Sequence, residues 1–201
     1  MEDWVWITAG VVFLVLSFEA IRKGRKAKNT SREMAQNIPH HFRNIGIELK
    51  TLSGQDAESR LGKNAQVRVA LFELQRREVE FLEVVHVATG QGDNTGSPRF
   101  DYIFHVSGAN KQKMVDTEVK SESLKWKNHV IGNNSLAESL NQNDQLGSLL
   151  IPLRSRMGIW DLEIIADPSK MLAKIRTREF LPTLEQLEAI DVIARHVKTV
   201  W

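Results

Sequence analysis

Phe81 to Ala88 reads FLEVVHVA, Phe100 to Val106 reads FDYIFHV, and Lys113 to Lys120 reads KMVDTEVK. Each is a short run rich in β-branched and aromatic residues. Between them lie Gly90 to Pro98 (GQGDNTGSP) and Ser107 to Asn110 (SGAN), the composition of hairpin connections. Three such runs in succession predict an antiparallel three-stranded meander. Because side chains alternate faces along a strand, Tyr102, Phe104 and Val106 share one face while Asp101, Ile103 and His105 share the other. By the same rule Asp116, Glu118 and Lys120 oppose Val115, Thr117 and Val119. In a suitable register Asp101, Glu118 and Lys120 belong to one open, charged face.

Helical patterns flank this centre. Met34, Ile38, Phe42, Ile45, Leu49 and Leu52 recur at three- and four-residue spacing, a stalk helix restarted at Pro39 and ended at Ser53-Gly54. A second helix is expected from Asp56, as N-cap, to about Glu78, carrying Leu61, Ala65, Val69 and Phe72. Beyond the meander, Asn134 to Gln142 reads as helix, and Leu149 to Leu153 and Ile159 to Ala166 read as strands. Pro182 to Val200 closes as a helix with Thr183 and Gln186 as a capping box and Leu184, Leu187, Ile190, Ile193 and Val197 on one apolar face.

The amino-terminal stretch is of another kind. Trp4 to Phe18 (WVWITAGVVFLVLSF) carries no charge, and the apolar character runs on through Ile21 around Glu19. About 18 residues at 1.5 Å each span roughly 27 Å, enough to cross the hydrocarbon core with little tilt. Glu2 and Asp3 precede the run, whereas Arg22, Lys23, Arg25, Lys26, Lys28 and Arg32 follow it. That is the reverse of a cleaved signal, and the positive-inside rule holds the basic flank in the cytoplasm. The expected organisation is a single-pass anchor over residues 1–21, a basic flank and stalk over 22–55, and a cytoplasmic α/β domain over 56–201. The N-terminus then lies outside an inner or plasma membrane.

Charge bookkeeping narrows the partners. The chain has 27 Lys and Arg against 25 Asp and Glu; six bases and three acids fall in the first 32 residues, which leaves 21 against 22 beyond. The basic flank therefore suits anionic membrane lipid, and the remainder lacks the broad positive patch of a duplex binder. There is no cysteine, which excludes disulfides, thiolate catalysis and cysteine-ligated zinc.

An acid on one strand followed by Glu-x-Lys on the next suits phosphodiester hydrolysis. Two carboxylates hold Mg²⁺, and a lysine orients the attacking water and offsets phosphate charge. The order helix, meander, helix, strand, with Asp101 and Glu118-Val119-Lys120, resembles the PD-(D/E)xK nuclease superfamily. With the membrane helix in front, it is similar to nuclease-related (NERD) domain proteins and, more loosely, to the RmuC family. The similarity covers about residues 60–165 and is best in RFDYIFHV and MVDTEVKSESL. It implies a restriction-endonuclease-like core, with Asp101 and Glu118 as Mg²⁺ ligands and Lys120 as catalytic lysine. Two departures stand out: Arg99-Phe100 replaces the usual proline beside the acid, and Gln66 occupies the place of a helical glutamate.

Trp126, between Lys125 and Lys127, is a candidate for stacking on a base beside phosphate contacts. Glu-x-Lys recurs by chance, and a half-buried strand shows polar residues on its wet face without any metal. His40, His41, His86, His129 and His196 have no ligand spacing. Gly90 to Gly96 lacks the Lys-Ser/Thr of a phosphate loop, and no Gly-x-Ser-x-Gly elbow occurs. Two functions remain open: a membrane-anchored protein that is, or descends from, a metal-dependent nuclease acting on DNA or RNA, and a non-enzymatic tethered scaffold that binds a protein partner near the membrane.

Overall fold

A computed structural model describes residues 33–62, 67–87, 99–108, 118–122, 125–128, 135–157, 162–178 and 181–201. The expected anchor over residues 1–21, Gln66, the glycine-rich stretch 90–98 and residues 113–117 lie outside these. No described helix is long and apolar enough to cross a membrane.

The chain is α/β, built on one eight-stranded sheet. Its strands are β1 (Leu49–Thr51), β2 (Val67–Leu74), β3 (Phe81–Val87), β4 (Arg99–Ser107), β5 (Glu118–Glu122), β6 (Lys125–Asn128), β7 (Leu162–Asp167) and β8 (Leu172–Arg178). Their order in space is β1-β2-β3-β4-β8-β7-β5-β6, and each neighbouring pair is antiparallel. The helices are α1 over 33–44, α2 (Gly54–Leu61), α3 (Ser135–Asn141), α4 (Asp144–Met157) and α5 (Leu184–Val200).

The expected β3–β4 hairpin forms, with Val84 opposite Tyr102 and Leu82 opposite Phe104. The third strand of the expected meander does not join it. β8 lies against β4 instead, and β5 pairs with β7 and β6. Both faces of β4 are covered. Phe100, Tyr102, Phe104 and Val106 enter the main core with Ile38 and Phe42 of α1, Leu136 and Leu140 of α3, and Leu187, Ile190, Ile193 and Val197 of α5. On the other face α2 lays Ala57 and Leu61 on Leu71, Phe81 and Leu172.

Five expectations about the flanks need correction. The stalk helix is not restarted at Pro39 but runs through it, and it ends well before Ser53. Gly46 has φ +79°; its N–H donates to Arg43 O at 3.0 Å, and the Ile47 N–H donates to Phe42 O at 2.8 Å. That is the Schellman stop, which favours glycine because its left-handed backbone strains other residues. Residues 49–51 are then free to pair as β1.

The second expected helix is really α2 plus a strand. Ser53, not Asp56, caps α2 by accepting the Asp56 N–H at 3.2 Å. The Ser53 hydroxyl donates back to the Asp56 carboxylate at 2.6 Å, and that bond lowers the carboxyl pKa. VRVALFEL, the sequence of β2, fits either period because the sheet is buried on both faces; its register slips between Arg68 and Ala70, and Leu71 and Phe72 are both buried.

Leu149 to Leu153 belongs to α4, not to a strand. The stronger local signal was Asn143, whose side-chain carbonyl accepts the Leu146 N–H at 2.7 Å, putting Leu146 and Leu150 on the buried side. The expectations for α3 and α5 match the structure, and of the strand expected over Ile159 to Ala166 the part from Leu162 on is found as β7, residues 159–161 lying outside the described ones. In α5 both halves of the capping box are made, and His41 Nε2 ties α1 to the entry of α5 by donating to Pro182 O at 2.9 Å.

Candidate functional site

The polar positions of the central strands are not open to water. Glu83 is 2% exposed, Asp101 6%, His105 1% and Glu163 6%. They share one face, because residues opposite each other in a ladder lie on the same side: Glu83 faces Ile103, Ile103 faces Arg176, and Arg176 faces Glu163. Buried carboxylates require cationic or hydrogen-bonding partners, and this face supplies them. Glu83 accepts from Arg68 Nε at 2.6 Å and from His105 Nε2 at 2.9 Å. Arg176 is bonded to Glu163 through Nη2, and its Nη1 lies 3.9 Å from Asp101 Oδ2.

His105 is held neutral. Burial lowers its pKa most; Glu83 opposes that shift through its hydrogen bond and charge, while Lys174 and Arg68 add to it. Because Arg68 already compensates Glu83 at 2.6 Å, the carboxylate does not hold a second full positive charge. The ring proton then sits on Nε2, facing the carboxylate, and Nδ1 is a bare acceptor. That atom is buried without a hydrogen-bond partner.

Beside this network, the end of α2, the start of β2 and the β7–β8 turn enclose a cleft of about 130 Å³ lined by Leu61, Arg68, Glu83, His105, Lys170, Leu172 and Lys174. Gly62 closes α2 at φ +73°, and a Cβ there would meet Lys170 Nζ at 3.5 Å. Lys170 donates to Leu61 O at 2.6 Å, a cation on the negative end of the helix, and Arg68 Nη2 donates to Gly62 O at 3.2 Å. Lys174 pairs with Asp167 at 2.9 Å. The Asp167 pKa is lowered: burial raises it, but the bonds from Lys174 and Ser169 with the charges of Lys174 and Lys170 more than offset that.

The sequence-expected site does not converge. β8 and β7 stand between β4 and β5. Glu118 lies level with Ile165, Lys174 and His105, four residues along from Asp101. Three strand spacings and four residue rises put those backbones roughly 20 Å apart, whereas carboxylates sharing one Mg²⁺ hold their oxygens within about 3–5 Å. Lys120 stands opposite Glu163 in the β5–β7 ladder. Among the described residues, no three His, Asp or Glu side chains gather as a cation's ligands. Trp126 is 4% exposed and packs in the main core. Its main chain is clamped by Asn141, which accepts the Trp126 N–H at 2.8 Å and donates to its carbonyl at 3.0 Å. The ring is therefore not placed to stack on a base, while Lys125 and Lys127 on either side are exposed.

One further cluster has the composition of a nucleophile and base. Ser139 Oγ lies 2.7 Å from His196 Nδ1, and Asn143 Nδ2 lies 2.6 Å from His196 Nε2. Because the Asn143 carbonyl is committed to the Leu146 N–H, its amide must donate to Nε2. The ring proton then lies on Nδ1 and points at Ser139, so His196 cannot take the serine proton. This is a link between α3, α4 and α5.

Glu83, Arg68, Glu163, Arg176, Lys170 and Lys174 were not foreseen as a group. Their signals were faint: a lone acid in FLEVVHVA, and bases alternating with apolar residues in LAKIRTR. Compared with known protein families, curated proteins and solved structures, the chain matches none.

Proposed function

We propose that this chain is a membrane-tethered, non-enzymatic α/β domain that serves as a platform for a protein partner close to the bilayer. The observation that carries the reading is the placement of Asp101. Its carboxylate faces Arg176, and its strand stands three ladder steps from the Glu118–Lys120 strand. A phosphodiesterase centre needs acids that converge on a cation; here the buried acids converge on arginine and histidine. Near-neutral charge beyond residue 32, 21 bases against 22 acids, also suits a protein partner better than a polyanion. The tether rests on the uncharged run Trp4 to Phe18 and the six bases after it.

The competing reading is a restriction-endonuclease-like hydrolase using Mg²⁺, with Asp101, Glu118 and Lys120 in the roles given above. The facing positions of Lys120 and Glu163 favour it, since they set a lysine strand beside an acid. One experiment separates the two. The full chain in detergent is incubated with plasmid, single-stranded DNA and RNA in Mg²⁺ or Mn²⁺, beside Asp101→Asn and Lys120→Ala, and is cross-linked in membranes to map partners. The platform reading expects no metal-dependent cleavage and a stoichiometric protein cross-linked to residues 33–201. Cleavage abolished by both substitutions would overturn it.

A further inference from the structure

We propose that the cleft between α2 and the β7–β8 turn binds hydrogen phosphate or a phosphate monoester in its singly protonated form, held by Arg68, Lys170 and Lys174 and donating its own hydroxyl to His105 Nδ1. Three cations and one carboxylate line the cleft. That carboxylate, Glu83, is already shared between Arg68 and His105, and Asp167 beside the lysines is engaged by Lys174. The lining is left with an excess of positive charge. At about 130 Å³ the space exceeds roughly four waters at ~30 Å³ each, which suits a tetrahedral oxyanion. His105 supplies the second, independent observation: a side chain 1% exposed whose Nδ1 has no hydrogen-bond partner. Among common oxyanions at neutral pH, phosphate brings both the charge for the lysines and an O–H for a bare ring nitrogen; sulfate brings the charge alone.

The phosphate can be free or can belong to a lipid headgroup. Val67 and Met171, 70% and 55% exposed, directly adjoin Arg68 and Lys170 in the chain. Apolar residues beside cations suit a headgroup boundary, and a tethered domain has such a boundary at hand. The site is independent of which protein partner the platform carries.

The test uses the full chain in phosphatidylcholine nanodiscs, titrated calorimetrically with inorganic phosphate and with sulfate, and repeated with phosphatidate in the discs. The expected result is saturable 1:1 phosphate binding, with sulfate at least tenfold weaker and Lys174→Gln weakening phosphate at least tenfold. Loss of the phosphate signal in phosphatidate discs identifies the headgroup as the source; its retention identifies free phosphate. Lys170→Gln is a second variant, but it also removes the bond to Leu61 O, so Lys174→Gln decides. Absence of saturable binding, equal binding of sulfate, or an unchanged affinity in Lys174→Gln overturns the proposal.

Discussion

Replacing Glu83 by alanine removes the acceptor for two bonds at once, those from Arg68 Nε at 2.6 Å and His105 Nε2 at 2.9 Å. The side chains of Glu83 and Arg68 are 3% and 16% exposed, so water cannot easily take over. A buried pair broken from one side costs about 3–5 kcal/mol, because the surviving charge is left uncompensated. For a chain of this size, about 3 kcal/mol lowers Tm by roughly 6–12 °C. Deleting both partners, as in Arg68→Met with Glu83→Leu, removes the orphaned charge and should cost clearly less than the two single losses added together, with a coupling of about 2 kcal/mol or more. The assay is thermal and urea unfolding of the full chain in mild detergent, followed by the fluorescence of the buried Trp126 and Trp201. A loss below about 1 kcal/mol for Glu83→Ala, or strict additivity in the double variant, would refute the view that this bridge holds β2, β3 and β4 in register.

Two more outcomes follow from the same geometry. His105 has a pKa pushed below its ordinary 6.5 by burial, so the unfolded chain binds a proton more readily than the folded one. Its contribution to stability is whole above pH 6.5 and is lost as the pH falls toward the lowered folded value; His105→Gln should flatten the acid limb of a stability-pH profile, and an unchanged slope would contradict this. Asn141→Ala leaves the Trp126 N–H and carbonyl without their clamp, which should cost about 1–3 kcal/mol and red-shift the tryptophan emission; an emission spectrum and unfolding midpoint equal to wild type would refute it.

Much of the architecture was legible where local chemistry and burial agree. The Thr183–Gln186 box marked the start of α5, and the alternation of Phe100, Tyr102, Phe104 and Val106 with Asp101, Ile103 and His105 gave the faces of β4. Reading failed where the sheet is covered on both sides. VRVALFEL then has no polar face to reveal its period, and LAKIRTR, the sequence of β8, shows bases where a core strand would be expected to show none. Those bases are there because the second face carries buried acids, a pairing that depends on strands far apart in sequence. For the same reason the candidate cleft was invisible: Arg68, His105 and Lys174 come from three strands whose adjacency no local pattern encodes. The end of the stalk helix was readable at Gly46, and the longer apolar periodicity hid it.

The β4–β8 seam has a consequence for biogenesis. β1 to β4 form a consecutive antiparallel unit, but the free rim of β4 is not capped until Leu172 to Arg178 arrive, some 65 residues after Ser107. During synthesis at about 5–20 residues per second, a strand buried at seven of its nine positions in the folded chain waits several seconds with unpaired amides, the circumstance in which nascent chains pair with the wrong neighbour. The buried Asp101 and His105 of that strand make such mispairing costly, since a foreign strand without matching partners would leave them in a dry interface.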